Sequence, residues 1–169
     1  MGRLNGATTI LLADADVLID YRDSELEVLK LIGEHVGPVA VLSPVLDEVR
    51  GVTRADCERL SISVVEVATS RLLRAGLAHS SVSFNDRLCF VVCDEESWTC
   101  VTNDRALRRL CHRHGVLTRY GLELMVDLVA SAAVTAKRAM SIAYKMRESN
   151  PLHINERVIA RFKNALDRL

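Results

Sequence analysis

Five short apolar runs alternate with segments of helical periodicity over the first 120 residues, and that alternation leaves few folds open. The runs are 8–13, 39–42, 62–68, 98–102 and 116–118, each of strand length and rich in β-prone residues. The first run stops at Asp14-Ala15-Asp16, which reads as an acidic loop, and Ser24 and Glu27 after it form a capping-box pattern. Leu26, Leu29 and Ile32 then recur at helical spacing, and Gly37-Pro38 supplies a stop. Ser43-Pro44 offers an N-cap with proline at the first helical position, which puts Glu48 about one turn into a helix. Thr53 caps a segment to Leu60, and Thr69 caps one reaching about Ala78. Ser83 with Asp86 opens a helix continued by Leu88, Val91 and Val92. Asn103-Asp104 turns into a basic helix over 105–114, closed by Gly115.

Strands that alternate with helices pair in parallel through right-handed crossovers. The expected fold is therefore doubly wound α/β, a five-stranded mostly parallel sheet with helices on both faces. After Tyr120 the periodicity is helical throughout, near 121–131, 135–148 and 155–168, with Thr135 and Asn155 as caps and Ser149-Asn150-Pro151 as a break. This reading divides the chain into an α/β core over 1–120 and a helical extension over 121–169, packed on the core or continuing it.

With 49% hydrophobic and 26% charged residues, the 169-residue chain has the balance of one globular domain and not of a disordered one. Its 22 basic and 22 acidic residues cancel, so any polyanion must be met by a local patch. The basic residues are 18 Arg and 4 Lys, a bias toward the guanidinium fork that suits phosphate. Asp14, Asp16 and Asp20 interrupt the early apolar run, and the apolar stretch 122–134 is short and carries Asp127. The expectation is a cytoplasmic protein with no membrane partner. Five cysteines, Cys57, Cys89, Cys93, Cys100 and Cys111, form no CxxC pair and read as reduced core thiols. A zinc site from Cys100, Cys111, His112 and His114 matches no ligand spacing.

Ligands of open parallel sheets bind beyond the carboxyl ends of the strands. Asp14 and Asp104 each follow an expected strand, and Glu48 and Asp86 lie early in helices that start at the same edge. Singly, each is an ordinary helix cap or surface acid. Together, four acids from distant parts of the chain repel one another unless they share a hard cation, so Mg²⁺ or Mn²⁺ is the expected cofactor. Arg105, Arg108, Arg109 and Arg113 follow on the next helix as candidate phosphate binders, equally readable as a solvated face.

As a set, Leu11-Leu12-Ala13-Asp14-Ala15-Asp16-Val17-Leu18-Ile19, Ser43-Pro44-Val45-Leu46-Asp47-Glu48-Val49, Ser83-Phe84-Asn85-Asp86 and Val101-Thr102-Asn103-Asp104 resemble the acidic blocks of PIN-domain nucleases over about 8–120. The carboxyl half, with Ser149-Asn150-Pro151-Leu152-His153-Ile154 and Arg161-Phe162-Lys163, resembles a toxin-like prokaryotic branch of that family. The resemblance implies that Asp14, Glu48, Asp86 and Asp104 are metal ligands of an endoribonuclease acting on single-stranded RNA. It also implies a homodimer and a small antitoxin partner. One departure stands out: Ala15 and Asp16 occupy positions where the family often has a hydroxyl and a small polar residue. Asp16, Thr102 and Asn103 are therefore expected to support the ligands.

Two alternatives remain at this point. Asp14-Ala15-Asp16 echoes the strand-end DxD pair of haloacid-dehalogenase-type phosphatases, although the lysines fall at 30, 137, 145 and 163. A non-catalytic PIN-like interaction domain would use the same acids for a structural cation or a partner.

Overall fold

The computed structural model describes residues 9–77 and 81–169, so the expected strand start at Thr8 and helix end at Ala78 lie outside the described residues. Five strands, β1 (Leu11–Ala13), β2 (Val39–Leu42), β3 (Ser63–Val65), β4 (Thr99–Val101) and β5 (Thr118–Arg119), form one sheet in the order β3-β2-β1-β4-β5. Every pairing is parallel, with Leu12 opposite Ala40 on one side and Cys100 on the other. The sheet is thus wholly parallel where the sequence suggested mostly so. Its central strands are buried along their whole length, as expected when both faces are covered.

The first helix is a departure from the sequence reading. Asp14-Ala15-Asp16 does not make an acidic loop; Asp14 caps α1 (Ala15–Ser24), its Oδ1 accepting from the Val17 amide at 2.8 Å. Val17, Leu18 and Tyr21 bury one side of α1, a spacing that satisfies helical packing once the cap is recognised. Ser24 is correspondingly not an N-cap. It ends α1, and its hydroxyl donates back to the Asp20 carbonyl at 2.7 Å. The next helix, α2 (Val28–His35), starts four residues later and buries Val28, Leu29 and Ile32.

The remaining helices are α3 (Ser43–Glu48), α4 (Arg54–Arg59), α5 (Thr69–Leu77), α6 (Phe84–Glu96), α7 (Arg105–Arg113), α8 (Gly121–Ala130), α9 (Ala136–Ser149) and α10 (Glu156–Leu166). Thr53, Ser83, Asp104, Thr135 and Asn155 cap α4, α6, α7, α9 and α10 with side-chain acceptors, as their sequences suggested. Ser43 differs: it is the first residue of α3, with its hydroxyl donated to Glu66 Oε2 at 2.9 Å. Gly115, at φ +75°, makes the left-handed exit from α7 that a side chain would strain. The last strand begins at Thr118, two residues later than the apolar run suggested.

Right-handed crossovers put helices that lead from β1 toward β3 on one face and those that lead toward β5 on the other. The packing follows: α1 touches α3, and α6 touches α7. On the first face α8 and α9 form a further layer, α9 against α1 and α8 against α2, with α10 against both α8 and α9. Met125, Leu128, Ile142 and Phe162 join Leu12, Leu18 and Leu42 in one buried cluster. Two polar ties reinforce the seam: the buried Tyr21 hydroxyl donates to the Gly121 carbonyl at 2.8 Å, and Asn150 donates to Asp20 at 2.8 Å. All five cysteines are buried free thiols.

Candidate active site at the carboxyl edge of the sheet

The chain leaves β1 toward β2 on one side and returns to β4 on the other, which opens a crevice beyond the carboxyl ends of β1 and β4. Asp14 follows β1 directly, and its amide is held by the Val101 carbonyl of β4 at 3.1 Å. Asp104 stands three residues beyond β4 as the cap of α7, its Oδ1 accepting from the Leu107 amide at 2.7 Å. Asp86 lies in the first turn of α6, where its carboxylate accepts from the Ser83 hydroxyl at 2.7 Å. Glu48 arrives differently from expectation. It is the exposed last residue of the single-turn α3 and not an early residue of a longer helix, because the backbone turns extended at Val49.

These acids share one electrostatic environment. Asp14 is 1% exposed. Burial pushes its carboxyl up to about 8, against hydrogen bonds from the Thr102 hydroxyl and the Val17 amide that favour the anion; Asp16 and Asp86 add to the rise. Burial also raises Asp86, and Asp104, Asp16 and Glu48 raise it further, while Ser83 opposes them. Asp86 is therefore the hub through which all four expected acids, with Asp16, are joined. Among the described residues no three Asp, Glu, His or Cys side chains close into a chelating group.

Thr102 is fully buried between two of them. Its hydroxyl donates to Asp14 and accepts the Asp104 amide at 3.0 Å. One side chain thus ties the Asp14 carboxylate to the backbone that carries Asp104. Asn103 faces elsewhere: its Nδ2 donates to Asp20 Oδ2 at 2.8 Å, and its Oδ1 accepts the Gly121 amide at 3.2 Å. It fixes the β4–α7 turn to the helical layer, and among the described residues its side chain hydrogen-bonds none of the four acids. No family model and no curated protein matches this chain.

The residue that the sequence reading passed over is Asp20. It is buried and accepts from Asn103 on one oxygen and Asn150 on the other, both at 2.8 Å. Burial pushes its carboxyl up to about 6, the two amides pull it back, Asp16 raises it and His153 lowers it. A signal was present, since Asp20 stands three residues after Val17 and hence on the apolar face of a helix. It was hidden by reading Asp14-Ala15-Asp16 as a loop.

The arginines of α7 divide. Arg108 packs its guanidinium 3.6 Å from the centre of the Tyr120 ring, which commits it to the fold. Arg105, Arg109 and Arg113 are exposed and make no ion pair among the described residues. By contrast, Arg71 and Arg74 are neutralised by Asp94, Glu95 and Glu96.

Proposed function

We propose that this protein is a divalent-metal-dependent endoribonuclease of PIN-like architecture, hydrolysing phosphodiester bonds of single-stranded RNA. The observation that carries the reading is the coupling of Asp14, Glu48, Asp86 and Asp104 at the switch point of a parallel sheet, with Asp14 buried and lifted to about 8. A buried anion beside other anions is unfavourable, and a cation is what offsets both costs. The donor set is all carboxylate oxygen, which fits Mg²⁺ or Mn²⁺, and these four residues would hold it. Bound there, such an ion supplies Lewis acidity toward a phosphoryl oxygen and an acidified water.

The chain's own groups supply the rest. Thr102 holds the Asp14 carboxylate and the backbone amide of Asp104, and Asp16 adds negative charge beside Asp14. Asn103 anchors the turn that carries Asp104. Arg105, Arg109 and Arg113, which make no ion pair among the described residues, present guanidiniums to neighbouring phosphates just beyond Asp104, which a chain of zero net charge needs locally. A phosphatase mechanism with Asp14 as nucleophile is less well supported, because that carboxylate is already shared by Val17 and Thr102.

The reading extends to the partners the resemblance implies, a small antitoxin protein and a second copy of the chain, in the cytoplasm. No helix among the described residues is long and apolar enough to cross a membrane. Sedimentation at micromolar concentration tests the dimer, and a monomer throughout would remove it.

Calorimetric titration of Mn²⁺ into the wild-type protein and Asp14→Asn, followed by incubation with single-stranded RNAs, tests the activity. Metal binding and cleavage are expected in the wild type and lost in the variant. Cleavage unaffected by Asp14→Asn, or no metal binding even with RNA present, would overturn the assignment.

A further inference from the structure

Beside Asp104, residues of α7, α8 and α10 line an open cavity of about 780 Å³. Its floor is apolar, built by Leu122, Val126, Val158 and the buried Phe162. Arg105 and Arg109 of α7 and Arg161 of α10 stand on its walls, and none of the three makes an ion pair among the described residues. Asp104 lies in the same lining, so the cavity adjoins the proposed site of cleavage at that residue. The other lining carboxylate, Glu123, is occupied by the Tyr120 amide at 2.8 Å and lies 3.6 Å from Arg119.

We infer that this cavity is a nucleotide subsite, taking one unstacked nucleotide of a single-stranded RNA with its phosphate toward Arg105, Arg109 and Arg161 and its base on the apolar floor. The identity of the strand rests on the nuclease reading; the nucleotide chemistry rests on the cavity. Three guanidiniums without an ion pair among the described residues, over an apolar pocket, match a ligand with a compact anion at one end and a flat, weakly polar ring at the other. The volume is that of a site for one small ligand and is far too small for a duplex. Tyr120 lines the cavity too, with its ring stacked against Arg108. Single-strand binders pair such a cationic wall with an apolar or aromatic surface for the base. A second depression of about 400 Å³ shares Ala106 and Arg109 with the first and adds His112 and Arg113, so the cationic path continues along α7.

The part contributed by α8 and α10 gives the 121–169 segment a role in substrate positioning beyond packing. It also explains why Leu152, 81% exposed, stands among the lining residues: an apolar side chain at the mouth offers a surface for the next base.

The experiment is a methyl NMR titration in EDTA with adenosine, guanosine, cytidine and uridine 5′-monophosphates, against inorganic phosphate and a short polyglutamate peptide. The expected result is saturable shifts of the Leu122, Val126 and Val158 methyls with the nucleotides. Inorganic phosphate should leave these methyls still. Arg161→Gln, an exposed change, should weaken nucleotide binding about tenfold, and Val126→Trp should fill the floor and abolish it. Unmoved methyls with every nucleotide, binding indifferent to both substitutions, or tighter binding of polyglutamate would overturn the inference. Because EDTA removes any metal, the outcome is separable from the activity: RNA cleavage by a protein whose cavity ignores nucleotides sinks the subsite alone, and nucleotide binding by a protein that never cleaves sinks the nuclease alone.

Discussion

Asn150 donates its side-chain amide to the buried carboxylate of Asp20 across 130 positions of sequence, at 2.8 Å. The bond joins the loop after α9 to the buried side of α1, and Asn103 completes it from the turn after β4. The helical layer is therefore tied through Asp20 to the turn that presents Asp104. Asn150→Ala leaves one oxygen of a buried carboxylate without its donor, and a loss of about 1–3 kcal/mol is expected. Urea unfolding monitored by circular dichroism measures it. Asn150→Asp should cost more, since it sets a second carboxylate beside the first.

The same residue makes stability depend on acidity. Asp20 titrates at about 6 when folded, against 3.8 as its ordinary value. Between these values the unfolded chain has released the proton while the folded chain retains it, so stability falls as pH rises through this window and levels off above it. The change attributable to Asp20 is on the order of 2–3 kcal/mol. Unfolding free energies at pH 4 to 7 for the wild type and Asp20→Asn should show that slope component only in the former.

Thr102→Val keeps the shape of the side chain and removes the hydroxyl that serves Asp14 and the Asp104 amide. Loss of such an orienting group typically costs 10- to 100-fold in metal affinity. Mn²⁺ affinity and RNA cleavage should therefore fall by about that factor, and Thr102→Ser should restore most of it. A purely structural role would lower the melting temperature and leave affinity per folded molecule unchanged.

Asp14→Asn is expected to separate stability from function. Asparagine caps helices as well as aspartate does, and it removes a carboxylate that is 1% exposed. The variant should match or exceed the wild type in stability by about 1 kcal/mol in metal-free buffer while losing Mn²⁺ binding. Thermal unfolding with and without Mn²⁺ tests both halves.

The two neighbouring arginines of α7 should behave oppositely. Arg108→Ala removes the stack on Tyr120 and should cost about 0.5–2 kcal/mol of stability. Arg109→Ala touches no ion pair among the described residues and should leave stability within about 0.5 kcal/mol, but weaken single-stranded RNA binding in EDTA and reduce its dependence on salt. Denaturation and fluorescence anisotropy on both variants distinguish the roles.

Local chemistry was sufficient for much of this structure. Thr53, Ser83, Thr135 and Asn155 bond the backbone amides that follow them, and such caps act within three residues, so each was legible from its own neighbourhood. The parallel sheet followed from the alternation of strands and helices, because right-handed crossovers admit few arrangements. The order of the four acids, with Asp14 and Asp104 after strands and Asp86 at a helix start, was likewise present in the sequence, whereas Glu48 closes α3 instead of opening a helix. What the folded chain alone decided depends on contacts between distant segments. Asp14 is a cap that begins a helix because Val17, Leu18 and Tyr21 find a core to fill. Asp20 is a buried hub because Asn103 and Asn150 arrive from 83 and 130 residues away. Arg108 parts from Arg105, Arg109 and Arg113 because Tyr120 lies beneath it. Cap signals travel with the chain, whereas burial, charge coupling and cavities exist only once the chain has closed on itself.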